Sequence, residues 1–289
     1  LIPPIKETLQ YSEKKYRITV RKACFACAGP SDRDVIKLTN STWEVNRKEI
    51  LRSTPLRKVL LLNDFEAVGY GINTLEKKDL LVVNKGKPAL RRTKAVIGAG
   101  TGLGKSILVY NAEKNLHIPI PCEGGHTTFA PTKKEELEIA LFIKRNRKKK
   151  QVVYEDLVSG RGIENIYKYL SAKKKSKHSK YILRADDKAA LISKHQFKDA
   201  LCKKTFALFS RFYARCAKNF ALDTLSLSGL YIAGGIAAKN KHIFKSEEFK
   251  REFFLNDAYE NILRRIPVIV IKNYDVSLCG ACFAAMINV

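Results

Sequence analysis

Short apolar runs and helix-like stretches alternate along the chain. The run at 59–62 has four apolar residues and stops at two polar residues, Asn63 and Asp64, which is typical of a strand buried on both faces. A helix is predicted over 65–75. Further strands are predicted at 23–28, 35–40, 79–84, 95–98, 106–110, 117–121, 229–236 and 268–271. Further helices are predicted at 1–16, 42–50, 163–170 and 280–286, after 133, and through most of 187–222. This alternation predicts an α/β chain with more than one sheet layer.

The end of the 59–62 strand is a candidate site for chemistry. Ligands of open α/β sheets bind outside the carboxyl ends of the strands, where Asp64 stands. Asp is also a common cap for a helix that begins there. On these residues alone, Asp64 is either a plain helix cap or a reactive carboxylate. A similar reading makes Thr42 the predicted cap of the helix that ends at residue 50.

The chain is strongly basic, with a formal net charge of +26 over 289 residues. Lysine and arginine cluster at 144–150 and 173–178, and 171–180 is predicted to be a mobile linker. Neither cluster has interleaved aromatic residues for base stacking, so weak electrostatic attraction is favoured over specific nucleic-acid recognition. No apolar run is long enough for a membrane span, and no signal peptide is evident.

Seven cysteines spread over a long chain do not form the pattern of a secreted disulfide framework, so a cytoplasmic location is expected. Cys24 with Cys27, and Cys279 with Cys282, form two CxxC pairs. Residues three apart on a strand point to opposite faces, which disfavours a zinc site at the first pair. Small buried side chains are the preferred interpretation of these cysteines.

A glycine-rich loop at 98–104 follows one of the predicted strands. It holds Gly98, Gly100, Gly102 and Gly104, with Thr101 at its centre. Glycines let backbone N–H groups approach an anion, so this loop is a candidate for gripping phosphate oxygens, or is simply a turn. A strand follows it, which predicts a hairpin and resembles neither a Walker A loop nor a Rossmann loop.

A second polar loop carries Glu123 and His126, separated by two glycines. No further ligand has metal-binding spacing to this pair, so recognition of a hydroxylated ligand is the better interpretation. Glu155 lies ahead of a Ser-Gly-Arg-Gly turn, and taken alone it would be assigned to the surface.

The ordered set of these motifs resembles the bacterial ATP-dependent glucokinases. The motifs that carry the resemblance are Leu62-Asn63-Asp64-Phe65, Ile97 to Gly104, Glu123-Gly124-Gly125-His126, Glu155 to Gly162, Ile232-Ala233-Gly234-Gly235-Ile236 and, less strongly, Leu38 to Trp43. The resemblance implies the actin-like ATPase fold, an α/β fold of two domains around a cleft. The expected domains are 1–64, completed by part of the C-terminal helix, and 65–289.

The resemblance also implies a role for each matching residue. Asp64 falls on the general base that assists transfer of phosphate from ATP, with Mg²⁺, to the 6-hydroxyl of glucose. The implied sugar ligands are Asn63, Glu123, His126 and Glu155. The implied nucleotide-binding residues are Gly98, Gly100, Thr101, Gly102, Gly104, Gly234 and Gly235. No protein metal ligand is expected, and a homodimer is the implied assembly.

One departure from the family bears on activity. The family opens with a strand, an Asp-x-Gly-Gly-Thr phosphate loop and a second strand, none of which occurs in this sequence, whose first residue is Leu1. We therefore expect the chain as given to have little kinase activity while it retains sugar binding. The alternative hypothesis is a non-catalytic relative that binds sugar or a partner.

Overall fold

The computed structural model describes residues 1–29, 31–32, 34–38 and 42–288. The helices in these ranges are α1 (Ile2–Tyr16), α2 (Arg47–Ser53), α3 (Asp64–Gly71), α4 (Lys134–Asn146), α5 (Gly160–Lys173), α6 (Ser179–Arg184), α7 (Lys188–His195), α8 (Ala200–Thr224), α9 (Gly235–Lys239), α10 (His242–Lys245), α11 (Glu247–Phe254), α12 (Glu260–Arg265) and α13 (Val276–Asn288). The strands are β1 (Lys22–Cys27), β2 (Ser31–Asp32), β3 (Val35–Lys37), β4 (Glu44–Asn46), β5 (Lys58–Asn63), β6 (Leu80–Asn84), β7 (Lys94–Ala99), β8 (Leu103–Asn111), β9 (Leu116–Cys122), β10 (Gly229–Ala233) and β11 (Val268–Ile271). The α/β prediction is confirmed.

Two compact units make up the chain. The first unit comprises residues 1–77, 106–121 and 275–289, and the second unit comprises 78–105 and 122–274. In the first unit β1 pairs in parallel with β5, from Lys22 opposite Lys58 to Cys27 opposite Asn63. Whether the functional domains part at residue 64 stays a prediction.

A mixed sheet of six strands has the order β6-β11-β10-β7-β8-β9. Strand β10 is parallel to β7 and to β11, while β6 is antiparallel to β11. The predicted hairpin at the glycine loop is present, since β7 and β8 are neighbours in the sheet. The parallel register places Gly98 opposite Ala233, so both strands end at the same edge.

A buried ion network joins three helices of the second unit. The Arg215 guanidinium of α8 donates from Nη1 to Glu136 Oε2 at 2.7 Å and from Nη2 to Glu136 Oε1 at 3.0 Å, and its Nε donates to Glu252 Oε1 at 2.6 Å. Burial alone would raise the pKa of Glu136, but the hydrogen bonds from Arg215 and Thr132 lower it. Removing one member of such a network costs about 3–5 kcal/mol, because the others stay buried without a partner.

Two local predictions need correction, and a third lies outside the described residues. Residues 44–46 form a strand, and Asn46 rather than Thr42 caps the following helix by accepting the N–H groups of Lys48 and Glu49. The helix α13 begins at Val276, four residues earlier than predicted. Residues 39–41, predicted to end a strand and to form part of a family motif, lie outside the described residues.

The lysine-rich stretch at 171–180 is not the linker that the composition predicts. Helices α5 and α6 take its two ends. Between them the Ser176 N–H donates to Ser179 Oγ at 2.8 Å, and His178 Nδ1 lies 2.9 Å from Asp199 Oδ2. These contacts fix a turn where charge repulsion alone favours an extended chain.

Helices α3 and α13 cross at glycines in the first unit. A Cβ at Gly280 would lie 1.8 Å from the Ala67 carbonyl oxygen, and one at Gly71 would lie 2.1 Å from the Val276 carbonyl oxygen. Only hydrogen fits at these two positions. The crossing also brings the Ser277 hydroxyl to within 3.4 Å of the Asp64 carbonyl oxygen.

Substitution Gly280→Ala should destabilise the protein. Alanine is better than glycine in a helix by about 1 kcal/mol, but the clash with backbone must move one helix, so we expect a net loss of about 2–3 kcal/mol. Urea denaturation measures it. Met286→Ala on the exposed face of the same helix is the control and should change stability little. Equal stability of the Gly280 variant and wild type would contradict the close crossing.

Candidate active site

Asn63 and Asp64 lie where β5 ends and α3 begins, as predicted, but their local roles differ from the expectation. Asn63 is the N-cap: its Oδ1 accepts the N–H groups of Phe65 at 2.8 Å and Glu66 at 3.3 Å. Glu66 Oε2 accepts the Asn63 N–H at 3.3 Å, which completes a capping box. The interpretation of Asp64 as the cap is therefore wrong.

Asp64 is the first residue of α3, and the cap beside it fixes the backbone from which its carboxylate projects. Its Oδ1 accepts the Phe65 N–H at 3.0 Å. The positive end of the helix dipole stabilises negative charge at this position. An ionised carboxylate at a strand end is suited to accept a proton from a bound hydroxyl.

Glu66 is a second carboxyl group in this junction, and no motif in the sequence analysis included it. Burial raises the pKa of Glu66 to about 7, against the opposing effect of its hydrogen bond with the Asn63 amide. Its charge adds to the effect of burial in raising the pKa values of Cys24 and Tyr70. The S/T/N-x-x-E spacing of a capping box was the available signal for its role.

In the second unit the two glycine motifs meet. The Gly100 N–H donates to the Gly102 carbonyl at 2.9 Å, which closes the tip of the hairpin, and Thr101 is exposed there. Gly234 has φ of +92°, and a Cβ on it would lie 2.6 Å from the Ala99 carbonyl oxygen. Gly235 follows as the first residue of α9, and Gly104 lies on β8. A Cβ at Gly100 would meet no atom within 4 Å, so there is open space beside the tip of the hairpin.

Glu155 binds the glycine loop directly. Its Oε2 accepts the Leu103 N–H at 3.0 Å, and its Oε1 accepts from Arg161 Nη2 at 2.8 Å. A Cβ on Gly102 would lie 2.7 Å from Glu155 Oε2, so glycine permits this approach. The assignment of Glu155 to the surface is wrong, because its side chain is only 17% exposed.

Glu123 and His126 lie at the two ends of a single 3₁₀ turn at Gly124–His126. Glu123 Oε2 is 3.9 Å from His126 Nδ1, and both side chains are largely exposed. A Cβ on Gly125 would lie 2.0 Å from the Leu103 carbonyl oxygen, so the turn packs on the strand that follows the glycine loop. Leu103 thus contacts both polar segments, since its N–H binds Glu155 and its carbonyl abuts Gly125.

The glycine loop does have the Gly-Lys-Ser ending of a Walker A motif, at Gly104-Lys105-Ser106, contrary to the expectation that it resembles no such loop. The structure excludes that assignment, because these residues lie on β8 and not on a helix. Lys105 is only 4% exposed, and its Nζ lies 4.9 Å from the centre of the Phe220 ring. In the part of the chain described, no carboxylate pairs with this ammonium group.

All seven cysteines are free, and burial is the largest cause that raises the pKa of Cys24, to about 12. A search of the described residues finds no group of three or more His, Cys, Asp or Glu side chains placed to hold a metal ion. Within the same ranges no helix is both long and apolar enough to cross a membrane.

The chain is similar to known proteins at the level of family, sequence and structure. The model of the glucokinase family matches residues 4–288. The glucokinase of Nostoc sp. is 36% identical over 280 residues, which cover 91% of this chain and 81% of that protein. The glucokinase of Synechocystis sp. is 32% identical over 284 residues, covering 93% of this chain and 80% of that protein.

Two solved structures illustrate the structural match. A glucokinase from an Antarctic psychrotroph superposes with a TM-score of 0.81 at 26% identity, covering 97% of this chain and 84% of that chain. A Balamuthia mandrillaris glucokinase, solved in complex with glucose, gives a TM-score of 0.83 at 23% identity, covering 98% and 83%. At that identity the second match supports the fold alone.

These matches place the chain among the hexose kinases that have the two-domain actin-like ATPase fold, which confirms the expected fold class. Within that class the family is defined by the match to residues 4–288 and by the relatives above 30% identity. The chain belongs to the glucokinase family.

Because the pKa of Glu66 is raised, the stability of the folded protein should depend on pH, and Glu66→Gln should reduce that dependence. Between pH 4.5, its ordinary pKa, and about 7, the folded protein holds a proton at Glu66 that the unfolded chain releases. Wild type should therefore lose stability as the pH rises through 7, whereas the Gln variant, which still accepts from Asn63, should lose less.

Thermal denaturation at pH 5 and pH 8 tests this, with an expected advantage of about 2 °C for Glu66→Gln at pH 8 only. Glu76→Gln, at an exposed position outside α3, is the control. An equal advantage at both pH values would show that Glu66 does not titrate in this range.

Proposed function

We propose that this protein phosphorylates glucose on its 6-hydroxyl with ATP as donor, with Asp64 as the general base. The observation that supports this most directly is the capped junction of β5 and α3, which presents a carboxylate at a strand end in a member of the glucokinase family. A sugar hydroxyl is a weak nucleophile, and a carboxylate within hydrogen-bond reach accepts its proton as the phosphoryl group is transferred.

Asn63 has a narrower role than a general sugar ligand. Its Oδ1 is used by the helix cap, and its Nδ2 donates to the Gly29 carbonyl at 3.0 Å. The amide retains one further N–H for a sugar hydroxyl. We therefore assign Asn63 mainly to holding the start of α3, and hence Asp64, in place.

Glu123, His126 and Glu155 are the proposed sugar ligands of the second unit. Acceptor carboxylates and an imidazole suit the alternating hydroxyls of a hexose, and a site of this kind discriminates against analogues that lack one hydroxyl. Exposure of Glu123 and His126 leaves their polar atoms accessible to a ligand.

The glycine hairpin and the Gly234-Gly235 pair are the proposed ATP-binding segments. The open space at Gly100 and the exposed Thr101 hydroxyl fit phosphate oxygens, and the approach of Gly234 to Ala99 fixes the two segments together. Mg²⁺ in kinase sites is bound largely by substrate phosphates and water, so it would need no preformed set of protein ligands here. When bound, it would neutralise the charge of the phosphates. Most of the rate enhancement then comes from positioning and charge stabilisation.

The proposed reaction is the entry step of glycolysis. A cytoplasmic location is proposed with it, consistent with the seven free thiols.

A homodimer is the proposed assembly. Size-exclusion chromatography with light scattering tests it, and a monomer at micromolar concentration would overturn it.

The reaction itself is tested by coupling ADP release to glucose addition, and by calorimetric titration of glucose, for the chain as given and for the chain with the opening strand–Asp-x-Gly-Gly-Thr–strand segment of the family fused ahead of Leu1. Glucose-dependent ADP release supports the kinase. Glucose binding without turnover would favour the non-catalytic alternative over it, and neither binding nor turnover would overturn both.

Substitution Asp64→Asn should lower kcat by about a thousandfold and change the glucose Kd by less than about threefold, since the base is lost while the sugar ligands remain. The exposed Asp257→Asn is the matched control and should keep wild-type kcat. A kcat for Asp64→Asn within tenfold of wild type would remove Asp64 from the role of base.

Substitution Lys105→Met should leave the ATP KM within about threefold of wild type, because the buried ammonium is not available to phosphate. A Walker A lysine reaches the β- and γ-phosphates, so its loss would abolish nucleotide binding. Steady-state kinetics at saturating glucose distinguish the two. A large rise in ATP KM at an unchanged melting temperature would contradict the assignment from the structure.

A further inference from the structure

The carboxylate of Glu155 is held by two elements at once. One oxygen accepts from the backbone of the glycine hairpin, at Leu103, and the other accepts from Arg161 in the first turn of α5. The Ser159 hydroxyl donates to the Glu155 carbonyl at 2.7 Å, so the backbone of Glu155 is fixed as well. Both the position and the direction of this carboxylate are therefore set by its neighbours.

The first turn of α5 also binds the glycine hairpin without using a side chain. The Gly160 N–H donates to the Gly100 carbonyl at 2.8 Å. Ser159 caps the helix by accepting the Gly162 N–H at 3.0 Å. Arg161 thus projects from a turn that is anchored to the hairpin on one side and capped on the other.

Stability alone does not explain the Arg161–Glu155 ion pair. Arg161 is 46% exposed although Glu155 is only 17% exposed, so water screens the pair from the arginine side and reduces its contribution to folding. A carboxylate that is already held in place, by contrast, lowers the entropy cost of ligand binding, because binding does not have to order it. The pair is better explained by the orientation that Arg161 gives to the Glu155 carboxylate.

We propose that Arg161 is a positioning residue that holds Glu155 between the glycine hairpin and the sugar. Glu155 then couples the ordering of the proposed phosphate-binding segment to the ordering of the proposed sugar-binding segment. The inference rests on the proposed function for the identity of the sugar, but the link from Arg161 to the Leu103 amide does not depend on it.

The kinetic test compares Arg161→Met, Arg161→Lys and Lys168→Met. Lys168 pairs with Glu164 on the same helix and is the matched control. We expect Arg161→Met to raise the glucose KM about fivefold with kcat within twofold, Arg161→Lys to recover much of this loss, and Lys168→Met to match wild type. Melting temperatures of all three should lie within about 2 °C of wild type.

A double-mutant cycle identifies the route of the effect. In a Glu155→Gln background, Arg161→Met should change the glucose KM by less than about twofold, because the charged partner is already absent. A full fivefold effect in that background, or a glucose KM for Arg161→Met equal to that of the Lys168 control, would overturn the proposal.

Hydrogen exchange separates this inference from the proposed reaction. The Leu103 amide, which donates to Glu155, should exchange faster in Arg161→Met than in wild type or Lys168→Met, with no sugar present. A wild-type protein inactive on glucose overturns the proposed reaction, and unchanged Leu103 exchange overturns the positioning role.

Discussion

Parallel pairing between β7 and β10 places Gly98 opposite Ala233, and the arrangement of the second unit follows from that register. Because both strands run the same way, the glycine turns that follow them emerge at one edge of the sheet, where Gly234 lies against the Ala99 carbonyl. The return strand β8 then brings Leu103 to the turns that carry Glu155 and Gly125. In the first unit β5 is parallel to β1, and Asn63 and Asp64 follow its carboxyl end.

Features set by local pattern could be predicted from the sequence. The apolar run at 59–62 and the polar residues after it predicted the junction that carries Asp64, and the four spaced glycines followed by a second apolar run predicted the hairpin. The individual bonds could not be predicted. Asn63 rather than Asp64 caps α3, because the choice between two adjacent polar residues depends on the backbone angles at the junction. Lys105 belongs to a motif ending that suggests a phosphate ligand, yet its side chain is buried on β8. Arg161 has no signal of its own, since its pairing with Glu155 depends on how a loop and a helix meet.

For charge, too, the composition predicts the total but not where individual charged side chains are placed. With 54 basic and 28 acidic residues, even complete pairing would leave 26 positive charges without an acidic partner. Composition cannot say which carboxylates are used internally. Glu136 and Glu252 are buried around Arg215, and Glu138 pairs with Lys173 beside the turn that follows α5. Long-range attraction of the remaining charges to polyanions is screened at physiological salt.

The crossing of α3 and α13 has a consequence for synthesis. Ser277 contacts the Asp64 backbone and Asn288 contacts Tyr70 across separations of 213 and 218 residues. Because a chain is synthesised from its N-terminus, α3 is made before α13, and it lacks this packing partner until residues 276–288 have been added. Contacts between residues so far apart in sequence form slowly, because closing a long loop costs entropy. The backbone of Asp64 therefore reaches its final packing only after α13 has been synthesised.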